Sequence, residues 1–158
     1  MGLDMYLNRH HYYGGCYKDD NHENDYYKHT LEIGGPFAKK NGITKNIVNE
    51  VIVKQAYWRK ANAIHGWFVR NVQDGNDDCK DYYVTREKLD DLRDLCIEVL
   101  EYLDDENYDK AIELLPPSEG FFFGQYDVKH PWYREEIKET IEMLNDIPEE
   151  TYCYSSSW

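Results

Sequence analysis

No C-x-x-C pair occurs in this chain, and its four cysteines, Cys16, Cys79, Cys96 and Cys153, stand far apart. That spacing excludes a dense disulfide framework and predicts reduced thiols, with Cys96 in the core on the apolar face of a helix. Positive charge is also scarce. The chain has 18 Lys and Arg against 31 Asp and Glu, a formal net charge of −13. A surface for long nucleic acid needs clustered cations to release counterions, so that class of partner is excluded. Long apolar runs are missing as well: none approaches the roughly 18 residues of a membrane-spanning helix. The opening Met1-Gly2-Leu3-Asp4-Met5-Tyr6-Leu7 lacks the basic head and apolar stretch of a signal peptide. Gly2 does not complete a myristoylation motif, because Tyr6 stands where Ser or Thr is required. A soluble protein that stays in the cytoplasm where it is made is expected.

Catalytic and metal signatures are absent too. There is no G-x-S-x-G, no H-x-x-x-H zinc pair and no Walker loop. His10, His11, Cys16 and His22 have ligand chemistry but irregular spacing, so no metal is expected there. Asp74, Asn76 and Asp78 begin like a calcium loop, but Cys79 and Thr85 replace the Gly and Glu that such a loop needs. Gly34-Gly35-Pro36 lacks the glycine spacing of a phosphate cradle and reads as a turn.

What the chain does have is the size of one domain, 158 residues, with 41% hydrophobic residues and 15 tyrosines. Tyrosine joins a large apolar ring to a polar tip, which suits recognition surfaces as well as the wet edges of cores. Alternation over residues 2–8 puts Leu3, Met5 and Leu7 on one face of a strand and Tyr6 on the other. Further strands are expected over 26–33, over 47–53 and in the glycine-bracketed run Phe121-Phe122-Phe123, where Phe122 would face opposite to its neighbours. Tyr57, Ala61, Ile64, Phe68 and Val72 recur at helical spacing and predict a helix from residue 57 to 72. A second helix should follow Thr85 as N-cap, with Leu89, Leu92, Cys96, Val99 and Leu103 inward. A short one over 107–115 stops at Pro116-Pro117, and a last one runs over 132–145. Strands first and helices later favour α+β: one domain over 1–158, a small antiparallel or mixed sheet packed with about four helices, and a loose tail from about 150 to 158.

The richest segment is Tyr57-Trp58-Arg59-Lys60-Ala61-Asn62-Ala63-Ile64-His65-Gly66-Trp67-Phe68. As a helix it would gather Trp58, Asn62 and His65 beside the apolar stripe and turn Lys60 and Trp67 to the opposite side. In the functional reading, Trp58 or Trp67 stacks a planar ligand, Arg59 or Lys60 meets an anionic group, and Asn62 reads an edge. In the alternative, Trp58 and Trp67 are packing residues and His65 is a hydrogen-bonded core histidine. No motif supplies His65 with a nucleophile, so no catalytic residue is assigned and no cofactor is expected.

Three blocks, Met1-Gly2-Leu3-Asp4-Met5-Tyr6-Leu7, the 57–68 segment and Leu114-Leu115-Pro116-Pro117-Ser118-Glu119-Gly120-Phe121-Phe122-Phe123-Gly124, resemble small bacteriophage proteins of unassigned function. The resemblance implies an infected bacterial cytoplasm and, by analogy, a role against host defence. The leading expectation is a non-enzymatic binder that sequesters a small nucleotide-like ligand, such as a host immune signal, using Trp58, Arg59, Lys60, Asn62, His65 and Trp67. The alternatives are an acidic inhibitor docking on a basic host protein and a hydrolase using His65. A second copy of the chain is a further candidate partner.

Overall fold

Which side of each strand is buried decides this architecture. The computed structural model describes residues 2–12, 50–118 and 127–158. Strand β1 (Asp4–Tyr12) leads to β2 (Glu50–Arg59), followed by α1 (Asn62–Asn71), β3 (Tyr82–Thr85), α2 (Arg86–Asp104), α3 (Tyr108–Leu114), α4 (Pro131–Asn145) and β4 (Thr151–Ser157). The chain divides into two compact units, Met1–Arg9 with Lys54–Trp158, and His10–Val53. All the described helices belong to the first. The fold is α+β, with four antiparallel strands in the order β2-β1-β4-β3.

Register explains the layers. Leu7 pairs with Tyr154 and Met5 with Ser156, while Val84 pairs with Tyr152. Side chains alternate along a strand, so these residues share one face, joined by Ala56 and Trp58 of β2. That face forms the core with Ile64 and Phe68 of α1, Leu89, Leu92, Cys96 and Val99 of α2, and Ile137 and Leu144 of α4. The other face carries Asp4, Tyr6 and Asn8 of β1, opposite Ser157, Ser155 and Cys153 of β4, and then Tyr83 of β3.

The helices after residue 85 follow their local signals. The Thr85 hydroxyl accepts from the Lys88 amide, and Glu87 lies in the first turn of α2, where the helix dipole favours an acid. The Asn107 side chain accepts from Lys110 to open α3, and α4 begins with Pro131 in its first turn behind His130. Cys96 is fully buried, and its thiol is pushed up to about 12 by that burial.

Three expectations are corrected. The helix expected from Tyr57 starts at Asn62, because β2 continues through Arg59 with Ala56 and Trp58 inward and Tyr57 outward. The Lys60 amide donates to the Leu3 carbonyl at 2.8 Å, extending the bonding between β2 and β1 to the last residue before the turn. The expected loose tail is β4, held between β1 and β3 by backbone pairing on both sides. Residues 82–85, which sequence periodicity left outside any element, form β3. The strands expected over 26–33 and 121–123 lie outside the described residues.

Candidate functional site

Two clusters of chemistry surround the β2–α1 junction, one inside the core and one on the outer face of the sheet. The junction itself turns at Lys60, whose φ of 60° lies in the left-handed region that a non-glycine residue seldom adopts. Its aliphatic stem lies along Gly2, where a β-carbon would come within 3.3 Å of Cε. Residues Asn62 to Phe68 are all buried, so the first two turns of α1 are packed on every side, while Arg70 and Asn71 at its end are exposed. A helix so deeply buried has no one-sided stripe, and the polar atoms of its His65 and of the buried Trp58 of β2 need partners inside the protein.

They have them. The Trp58 indole N–H donates to the Thr140 hydroxyl at 2.9 Å, and that hydroxyl donates to the Glu136 carbonyl at 2.7 Å. Trp58 and Trp67 both pack edge-to-face with Phe68, whose ring stacks on Tyr154 with centroids 3.8 Å apart. His65 is 1% exposed and stands between two partners, Asp77 Oδ1 at 3.1 Å from Nε2 and the Tyr154 hydroxyl at 2.8 Å from Nδ1. A carboxylate only accepts, so Nε2 carries the proton and Nδ1 accepts from the phenol. The neutral imidazole satisfies both contacts. Burial holds the His65 pKa below the usual histidine range, against the opposing pull of Asp77. Burial likewise drives the Tyr154 phenol well above its ordinary value. Asp77 also accepts from the Trp158 indole at 3.3 Å. This chain resembles the hydrogen bonding of an acid–base triad, but its hydroxyl belongs to a side chain with no exposed area and cannot touch a substrate. It ties α1, the loop after it and β4 together.

The outer cluster is different in kind. Tyr6 and Tyr57 meet with ring centroids 5.5 Å apart, on the sheet face away from the core. The Lys54 ammonium lies over both rings, 5.2 Å and 5.5 Å from their centroids. The Tyr57 hydroxyl donates to Asp4, which holds its pKa above the ordinary value, while the charge of Arg59 pulls it the other way. Arg59 and Lys60 are exposed. Among the described residues Lys54, Arg59 and Lys60 have no carboxylate within ion-pair distance, whereas Arg9, Lys80, Arg86, Arg93 and Lys110 each have one. In a chain of net charge −13, Lys54 over the Tyr6 and Tyr57 rings and Arg59 near Tyr57 are cations with no described carboxylate in ion-pair reach, beside the Asp4 carboxylate that Tyr57 holds.

The six residues singled out from sequence are therefore divided. Trp58, Asn62, His65 and Trp67 lie in the core, and Arg59 and Lys60 lie at the surface beside Tyr57. Tyr6, Lys54 and Asp4 join that surface and were missed, although alternation over residues 2–8 already placed Tyr6 away from the apolar face. Among the described residues no three His, Cys, Asp or Glu side chains converge as metal ligands, and no helix is long and apolar enough to cross a membrane. No family model matches the chain, and neither the curated proteins nor the solved structures compared with it give a match.

Proposed function

We propose that the chain binds and sequesters a small nucleotide-like ligand without changing it, on the Tyr6–Tyr57 face rather than on the helix expected from sequence. The observation that supports this reading is the pair of Tyr6 and Tyr57 rings with Lys54 over them and Arg59 near Tyr57, cations that no described carboxylate neutralises. Rings of this kind stack on a base, and free cations meet phosphate. Binding energy of that sort is the same for the resting ligand and for any transition state, so it gives sequestration and no rate enhancement. The resemblance to small phage proteins sets the context: the infected bacterial cytoplasm, with a host immune signal as ligand.

The test is a thermal-shift and calorimetric screen of linear and cyclic nucleotides, followed by recovery of the bound material. Tyr57→Ala and Lys54→Ala should each weaken binding about tenfold or more while the fold survives, since stacking contributes roughly 1–3 kcal/mol per base. The released ligand should have its original mass. A second reading, docking on a basic host protein, draws on α2, where exposed Ile97 lies among Asp94, Glu98 and Glu101. Binding of a basic protein that is lost on changing those acids and kept in Tyr57→Ala, with no nucleotide bound, would favour it and reject the first.

A further inference from the structure

We infer that the Tyr6–Tyr57 corner selects a base whose edge offers two adjacent N–H donors, as guanine does, and that Asp4 is the selecting residue. This rests on the stacking reading above and adds the identity of the base. Asp4 opens β1 on the face that carries Tyr6, opposite Ser157 of β4. One of its oxygens accepts from the Tyr57 hydroxyl, the tip of the ring on which the base would stack. Among the described residues no other hydrogen bond or ion pair engages that carboxylate. An ionised carboxylate is an acceptor with about four lone-pair sites, so most of its capacity is uncommitted.

The placement determines what Asp4 can read. Because it is anchored to the hydroxyl of Tyr57, it lies at the rim of that ring, where the edge of a stacked base arrives. A carboxylate there attracts N–H groups and repels lone pairs. Guanine presents a ring N–H and an exocyclic amino group side by side, which two carboxylate oxygens can accept together. Hypoxanthine keeps the ring N–H and lacks the amino group. Adenine places a ring lone pair beside its amino group, against the carboxylate charge. Lys54 and Arg59, on the same corner, leave the phosphate a separate seat. A corner that holds both a carboxylate acceptor and nearby cations offers contacts to the base and to the phosphate of a guanine nucleotide.

The experiment titrates GMP, IMP and AMP into the whole chain and into Asp4→Asn and Tyr57→Phe, with circular dichroism to confirm the fold of each. The native protein should prefer GMP to AMP by about tenfold or more, the scale of one good bidentate contact, with IMP between them. Asp4→Asn should reverse the preference, since an amide matches the adenine edge. Tyr57→Phe keeps the ring and frees the carboxylate, so it should narrow the preference and spare AMP. Equal affinity for the three nucleotides would overturn the inference and leave the stacking reading intact. Binding of none would overturn both. If Asp4→Asn fails to fold, Tyr57→Phe decides: an unchanged preference in that variant rejects the role of Asp4.

Discussion

Imidazole, carboxylate and phenol meet at His65, and the consequence is a dependence of stability on pH. The folded-state pKa of His65 lies below its unfolded value, which is near 6.5. Between those two values the unfolded chain binds more protons than the native one, so stability is present above about pH 6.5 and is lost as pH falls through that window. Urea denaturation at pH 7.5 and at pH 5.5 should therefore give a lower midpoint at the acid end. Much of that slope should vanish in His65→Gln, which keeps a polar side chain; an equal slope in both proteins would rule out His65 as its source. Sequence could name His65 but not its setting, because Asp77 and Tyr154 are 12 and 89 residues away along the chain.

Elements were readable where periodicity and capping agree. The helices α2, α3 and α4 have caps and one-sided stripes, and their sequence expectations hold within a residue or so. The junction of β2 and α1 was not readable, because Tyr57, Ala61, Ile64 and Phe68 keep helical spacing across a strand, a left-handed turn and a helix whose first two turns are buried on every side. Nor was the outer cluster, which needs β2 to run through Arg59 before Tyr57 can meet Tyr6. Helix α1 carries one more constraint. At Gly66 a β-carbon would overlap the Ser118 hydroxyl and approach the Arg70 guanidinium to 3.0 Å. Alanine normally favours a helix over glycine by about 1 kcal/mol. At this position we expect Gly66→Ala to destabilise, since overpacking costs roughly 1–3 kcal/mol. In a Ser118→Gly background the same change should become neutral or stabilising. A double-mutant cycle in chemical denaturation measures the coupling, and additive effects would show that the contact carries no strain.

For the molecule as a whole, the order of expected elements gave the α+β class but not which strands lie inside the sheet. The serine-rich segment after residue 150 reads as solvent-exposed chain, yet Tyr152, Tyr154 and Ser156 face the core between two partner strands. Backbone pairing overrides the weak local preference of serine there. The position of β4 also bears on how the chain finds its structure. Asp4 pairs with Ser157, so closing the sheet joins residues more than 150 positions apart, while α2, α3 and α4 pack within about 60 residues of one another. Contacts so distant are slow to form and come late. We expect the helical layer to nucleate folding and the β1–β4 seam to close after the rate-limiting step. In stopped-flow refolding, Ile137→Val in α4 should then chiefly slow folding, and Tyr154→Phe in β4 should chiefly speed unfolding. The reverse pattern would put the seam in the nucleus. On the expected order, Tyr6 takes its place opposite Ser155 of β4 only once the seam closes, so the face that carries the Tyr6–Tyr57 pair is completed after the helical layer has formed.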